Sequence, residues 1–289
     1  MALTLGRVGA RLPHGLANEL EGSELRTVLD ELEEAGWGAV WFAGTVAEAQ
    51  MPIARKLLDH SQRMVVASGI IQIFGSDPAE TANMNRALLD DHPGRFLLGL
   101  GVSHPEAEPD GTWAKPLAAM RTFLDGLDAA DPNADPTQRA LAALGPKMMA
   151  LAAERTAGAH PYFVPVAHTA AARNQLGPNP LLAPEQMVVL DTDPERARRI
   201  ARAGMQLYLG LTNYTRNLRT YGFGDEDFAA GGSDRLVDAI VAWGDVNHIA
   251  ARIRAQHDAG ADHVCVQVLT ENPGAVPRQA WRELGAALS

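Results

Sequence analysis

Two rhythms of apolar and polar positions alternate along this chain. Short apolar runs bounded by turn residues suit strands covered on both faces, as in parallel sheets. Between them lie longer stretches with apolar positions three and four apart, the spacing of an amphipathic helix. Leu3 to Leu12 ("LTLGRVGARL") predicts a first strand, and Glu24 to Gly36 a helix with Ser23 as N-cap and Gly36 as C-cap. Ala39 to Ala43 and Met64 to Phe74 read as strands two and three. Asp77-Pro78 opens a helix that Pro93-Gly94 stops after Asp91. Phe96 to Val102 ("FLLGLGV") is strand four, and "PLAAMRTFLDGL" the helix behind it.

The second half continues the alternation. "RALAAL" predicts strand five, with the helix "KMMALAAER" after Gly145-Pro146. Ala157 to Val164, Glu185 to Thr192 and Ala261 to Leu269 predict strands six, seven and eight, and a last helix starts near Arg278. Eight strand–helix units in one chain of 289 residues predict a single (β/α)8 barrel domain over residues 1–289. A doubly wound open sheet is the alternative, but no G-x-G-x-x-G follows the first strand, which counts against a dinucleotide-binding fold. The stretch from about 194 to 260 exceeds one crossover helix. It reads as an insertion of several helices, carrying Asn213, Tyr214, Asn217 and Tyr221, that lies over one end of the barrel. Asp128 to Gln138 is a short turn-rich linker.

Composition narrows the function. Hydrophobic residues make up 46% and charged residues 21%, and the net charge is −10. A protein that neutralises many phosphates needs a basic face, so general nucleic-acid binding is not expected. No run approaches the ~18 apolar residues of a membrane span, and the first residues lack a signal-like pattern, which predicts a cytoplasmic protein. The single cysteine, Cys265, sits within an apolar strand and reads as a core thiol.

Few residues carry candidate chemistry. His14, His104, His160 and His168 stand near strand ends but form no H-x-H or H-E-x-x-H pair, so no metal site is expected. "GVSHP" is not the G-x-S-x-G elbow of hydrolases. "ALGPKMM" places Gly145 and Pro146 at a helix start with Lys147 beside them. Free N–H groups there suit an anion, and a plain β-to-α turn suits the same residues. Gly69, in the middle of the apolar run "VVASGIIQIF", predicts a bulge or a close approach by a ligand. His104 and His160 each follow an apolar strand and precede a proline, and His104 is the stronger functional candidate.

Taken together, "VVASGI", "DPAETANMNRALLDDHPGRFLLGLGVSHP" and "LAALGPKMMALAAERTAGAHPYFV" resemble the luciferase-like monooxygenase superfamily. Within it they resemble the branch that uses the deazaflavin coenzyme F420. "LLAPEQMVVLDTDPERARRIAR" and "GGSDRLVDAIVAWGD…AGADHVCVQVL" fit the same branch. The resemblance implies a barrel with an insertion before the last strand, a homodimer, and hydride transfer between F420 and a small organic molecule. It implies that Ser68, Gly69 and Ile70 form the bulge under the deazaflavin ring, with Gly69–Ile70 in cis. Gly101, Val102 and Ser103 would lie beside the ring, and Ala142 to Met148 (Ala143, Leu144, Gly145, Pro146, Lys147, Met148) would hold the phosphate-bearing tail. His104 falls where relatives carry a proton-handling group, and His160 is counted with the cofactor site. The apolar segments "AQMPIARKLLDH" and "NMNRALLD" are candidates for the dimer face.

The chain departs from the family after strand two. It has "WFAGTVAEAQMP", where a Trp-x-Pro-Glu or an acidic residue paired with histidine is expected, and Gly44 and Thr45 cannot replace those groups. "QIFGSDP" also lacks an expected polar residue before its Asp-Pro. Three other readings follow: an FMN-dependent monooxygenase, a barrel that binds a flavin-like ligand without turnover, and a phosphosugar enzyme, which would need a strand-end lysine that is not evident.

Overall fold

The computed structural model describes residues 3–13, 15–108, 112–131 and 134–288. His14 and residues 132–133 of the linker lie outside the described residues. The strands are β1 (Val8–Arg11), β2 (Ala39–Phe42), β3 (Val65–Ser68), β4 (Ile71–Gln72), β5 (Phe96–Gly101), β6 (Arg139–Leu141), β7 (Gly158–Ala159), β8 (Leu181–Leu182), β9 (Glu185–Leu190), β10 (Val241–Gly244) and β11 (Val264–Val268). They pair in parallel, in the order β10-β9-β11-β1-β2-β3-β5-β6-β7-β8, with β4 on β5. The curled sheet closes because β8 and β9 are two parts of one extended stretch. On one side, Ala183 and Glu185 N–H groups donate to Ala159 O and Pro161 O. On the other, Cys265 N–H donates to Pro184 O. Each of the eight expected strands has a counterpart in this parallel curled sheet; the third is split into β3 and β4, while β8, just before the expected seventh, and β10 are additional.

Alternate strand residues go to different cores, the period-two signature of a filled barrel. Ala39, Trp41, Val65, Ala67, Leu97, Ala140 and Cys265 share one buried cluster. Val40, Phe42, Val66, Phe96 and Leu98 belong to the larger cluster that also holds the helix residues. Cys265 is fully buried, as expected.

Several boundaries differ from the sequence reading. Ser23 is not the N-cap, because the helix runs Gly22–Glu34 with an extended Glu21 before it. Gly36, at φ 89°, does supply the left-handed residue beyond its end. Strand six shrinks to Gly158–Ala159, since Pro161 has no N–H to give and Phe163 turns the chain at φ 56°. Residues 194–260 are not helical throughout. They hold the helices Pro194–Leu209, Thr212–Arg219, Asp225–Phe228, Asp234–Ile240 and Val246–Asp258, and also β10, whose Val241 pairs with Met187 of β9. The expected dimer segments use most of their large apolar residues within the chain: Met51, Ile53, Leu57, Leu58 and Leu88 are buried. Among the described residues, no helix is long and apolar enough to cross a membrane.

The close approach of β3 to β5 generates a prediction. A Cβ on Gly99 would lie 1.9 Å from Ser68 O, a backbone atom, whereas one on Gly145 would meet nothing within 4 Å. Gly99→Ala is expected to cost about 3 kcal/mol of stability, the upper part of the usual overpacking range. Gly145→Ala should stay within about 0.5 kcal/mol of the parent. Urea unfolding of the three proteins checks both values.

Candidate functional site

The strand-three bulge is built by one serine and three glycines. Ser68 is fully buried, and its hydroxyl replaces the ladder bonds that the break removes. Ser68 Oγ donates to Gly99 O at 3.0 Å and accepts from Gly99 N–H at 2.8 Å. The Gly69–Ile70 peptide is cis, as the resemblance implied. Both residues remain half-buried, so they form a shelf at the barrel's carboxyl end. Space for that shelf comes from absent side chains. A Cβ on Gly44 would lie 2.7 Å from Ile70 O, and one on Gly101 would lie 2.5 Å from Ile70 Cδ1. Gly101 thus makes room for Ile70.

At the end of β5, Val102 is half-buried, and Ser103 is buried with a left-handed φ of 57°. Ser103 O accepts from Trp113 Nε1 at 3.3 Å, while its buried Oγ has no partner among the described residues. His104 is half-buried against the insertion. Its Nδ1 lies 3.2 Å from Asn213 Oδ1, and its ring centroid is 5.3 Å from that of Tyr214. An amide oxygen can only accept, so Nδ1 carries the hydrogen and Nε2 is the basic nitrogen. Burial lowers the His104 pKa below the usual histidine value, against an opposing effect of the Asn213 bond. The same joint is fastened at Glu106, whose Oε1 accepts from the N–H and hydroxyl of Thr212.

The turn after β6 is anchored by Ala142 N–H on Leu100 O. Ala143 is buried and Leu144 half-buried. Gly145, Pro146 and Lys147 are exposed, and Met148 is half-buried at the start of the helix Pro146–Arg155. Gly145 is the N-cap and Pro146 occupies the first turn, so the N–H groups that follow face outward without helical partners. His168, whose Nε2 lies 3.0 Å from Leu144 O, braces the turn from behind.

His160 does not project from a strand end. It is 3% exposed inside the barrel, with Nδ1 2.7 Å from Ala183 O and its ring stacked 4.2 Å from Trp41. A Cβ on Gly69 would come within 3.0 Å of His160 Nε2, so His160 supports the shelf from below. Around it lies a buried polar group that the sequence reading missed. Glu185 contacts Arg11 Nε at 3.3 Å and His160 Nε2 at 3.5 Å, and Trp41 Nε1 donates to His263 Nε2 at 3.0 Å. Burial holds the His263 pKa down at about 4. The available signal was parity: Arg11 and His263 share the inward register of Gly9 and Cys265.

Comparison with known proteins bears on the family and the fold. Residues 3–130 match the luciferase-like monooxygenase family. No curated protein matches the sequence. Among solved structures, the chain resembles an F420-dependent secondary alcohol dehydrogenase in complex with an F420-acetone adduct. The TM-score is 0.70 and the identity 13%, over 100% of both chains. It also resembles the coenzyme F420-dependent tetrahydromethanopterin reductase from Methanopyrus kandleri (TM-score 0.64, 15% identity, 97% of each chain). A third is the oxygenating constituent of the 3,6-diketocamphane monooxygenase from Pseudomonas putida in complex with FMN. Its TM-score is 0.61 at 15% identity, over 97% of this chain and 96% of that one. The family match over residues 3–130 agrees with the luciferase-like resemblance read from the sequence, and the structural neighbours include both F420-dependent enzymes and an FMN complex.

Two cavities lie away from the expected site residues. One cleft of about 980 Å³ follows the ends of β9, β10 and β11. A pocket of about 290 Å³ lies beside Gly44 and Thr45, where the chain departs from the family pattern. Among the described residues, no group of three or more histidine, cysteine or acidic side chains is placed to hold a metal.

The buried histidines fix the direction of a pH effect. His104, His168, His257 and His263 all hold a proton less tightly than a free histidine, chiefly through burial. The unfolded chain binds more protons below about pH 6.5, so stability is full above that value and falls as pH drops toward the folded-state values. Urea unfolding between pH 7.5 and about 4.5 measures the loss. NMR titration should place the His104 midpoint below about 6.5. Asn213→Leu should lower it further, because it removes the bond that favours the protonated ring.

Proposed function

We propose that this protein is an oxidoreductase that transfers a hydride between coenzyme F420 and a small organic substrate. The Gly69–Ile70 shelf carries this reading: half-exposed backbone at the barrel mouth, fitted by Gly44, Gly99 and Gly101 and propped by His160. The residues fit a ring with a phosphate-bearing tail. Ile70 offers an apolar surface, Ser103 Oγ is a buried hydrogen-bonding group without a partner among the described residues, and Gly145, Pro146 and Lys147 open a helix N-terminus. When bound, the deazaflavin supplies or accepts the hydride, and it lacks the nitrogen that makes reduced flavin react readily with oxygen.

His104 is the proton-handling residue in this reading. Its depressed pKa leaves it neutral near pH 7, so Nε2 accepts a proton while Nδ1 is held by Asn213. Ser68 acts indirectly, since its hydroxyl is already engaged with Gly99. The FMN monooxygenase reading has support from the neighbour that binds FMN. We also propose a homodimer, on the strength of the family resemblance; among the described residues Leu207 is the one large hydrophobic that is well exposed.

Titration of the purified protein with F420 and with FMN tests the cofactor. Tighter F420 binding and turnover without oxygen consumption are expected, and FMN-dependent oxygen uptake would reverse the assignment. Gly69→Val should abolish F420 binding in a folded protein, because the added side chain meets His160 and Trp41. His104→Ala should keep cofactor affinity within a few-fold while turnover falls about 10²–10⁴-fold. An early-melting variant with normal turnover would make His104 a structural residue. Sedimentation at micromolar concentration should give a dimer.

A further inference from the structure

Two histidines flank Trp41 in the barrel interior, and their surroundings differ at one ring nitrogen. Both carry a hydrogen on Nδ1, because that nitrogen lies against a backbone oxygen that can only accept. The oxygen is Gly6 O at 2.8 Å for His263 and Ala183 O at 2.7 Å for His160. At Nε2 they part. His263 Nε2 accepts from Trp41 Nε1 at 3.0 Å, so it holds no hydrogen and the ring is neutral. His160 Nε2 instead faces Glu185 Oε2 at 3.5 Å. A bare nitrogen there would set its lone pair against a carboxylate oxygen. With a hydrogen, it meets that carboxylate as a cation.

The neighbours decide which partner holds that hydrogen. Arg11 Nε donates to Glu185 Oε1 at 3.3 Å, and a guanidinium favours a carboxylate over a carboxylic acid, so the hydrogen belongs to His160. Trp41 stacks on the His160 ring at 4.2 Å and 15°, presenting the aromatic face that attracts a cation. Burial keeps the surrounding Cys265 thiol and the Tyr162 and Tyr208 phenols in their neutral forms. Arg11 opposes the arrangement, as a second cation on the same carboxylate. A Cβ on Gly69 would lie 3.0 Å from this same Nε2, so the charge sits against the underside of the shelf. We propose that His160 is a buried imidazolium paired to Glu185, a positioning residue whose charge makes the shelf favour a ring in its more negative state. The charge stands on geometry alone, whereas the role rests on the hydride-transfer reading. A hydride brings two electrons with one proton, so a ring that accepts it becomes more negative by one charge. A cation under the shelf therefore holds the hydride-carrying form more tightly.

Nitrogen-15 NMR of the imidazoles in the full chain, with no cofactor added, tests the charge. At pH 7.5 His160 is expected to show hydrogen on both ring nitrogens and His263 on Nδ1 alone; His160→Gln identifies the signal. Glu185→Gln should return His160 to a single hydrogen. A singly protonated His160 in the parent would overturn the proposal and leave the hydride-transfer reading standing. A ring still doubly protonated in Glu185→Gln would overturn the pairing. The role is measured by anaerobic binding rather than turnover. The parent's preference for reduced over oxidised F420 should fall about tenfold in His160→Gln, the scale of one unit charge removed at an effective dielectric of about 20. A merely structural residue would weaken both forms alike. His160→Asn gives the same comparison if His160→Gln misfolds. If F420 does not bind, reduced and oxidised FMN replace it: the same tenfold fall would then keep this proposal while the F420 assignment fails. An unchanged preference, or binding of neither cofactor, would overturn the role.

Discussion

Where β3 breaks, the carbonyl of Ser68 occupies the volume that any side chain on Gly99 would need. Much of the barrel mouth follows from that contact. The ladder between β3 and β5 cannot run through the break, so the Ser68 hydroxyl bonds both the N–H and the C=O of Gly99 in its place. Ile70 then lies across Gly101 and against Gly44, and β4 resumes pairing with β5 at Ile71 and Leu100. Four small residues, Ser68 on β3, Gly99 and Gly101 on β5 and Gly44 just after β2, act as one steric unit. A larger group at any of them displaces the shelf rather than merely crowding it.

This constraint was partly legible in the sequence. Gly69 interrupts an apolar run, and the strand does break there. The run "LLGLG" reads only as a buried strand, because the reason for its glycines lies in residues some thirty positions earlier. Local pattern identifies an exceptional position; it does not identify the neighbour that makes it exceptional. His160 shows the opposite failure. Its place after an apolar strand and before Pro161 suggested a projecting side chain, whereas the chain keeps it in the inward register, under Gly69 and against Trp41. The polar residues Arg11, Glu185 and His263 were passed over because each sits in a strand whose apolar neighbours dominate the reading. Two-residue parity, applied to "RVGAR" and "HVCVQ", would have put Arg11 and His263 inside together.

A barrel with a polar interior beneath its shelf has an electrostatic consequence. The Arg11–Glu185 ion pair is almost fully removed from water, with side-chain exposures of 11% and 3%. Such a pair repays its desolvation only when the geometry is good and the remaining donors and acceptors are satisfied. Glu185 has both oxygens in contact, with Arg11 and His160. Arg11 keeps one buried nitrogen, Nη1, without a partner among the described residues. The interior is therefore close to balanced in charge but not in hydrogen bonds, a condition that favours specific geometry over bulk stability.

The insertion completes the mouth from the other side. Asn213 and Thr212 grip His104 and Glu106 across more than one hundred residues of chain. Tyr214 packs edge-on against Phe163 and Tyr208, so the grip continues into the core shared by β9, β10 and the insertion helices. β10 matters here: its pairing with β9 ties the insertion to the barrel wall by backbone bonds as well as by side chains. A purely helical cap resting on side-chain contacts would leave the His104 imidazole to follow a movable lid. With the cap joined to the sheet, the ring's orientation and its depressed proton affinity become properties of the barrel itself. The elements that determine them are β5, which carries His104, and β9, which anchors the chain that reaches back to hold it.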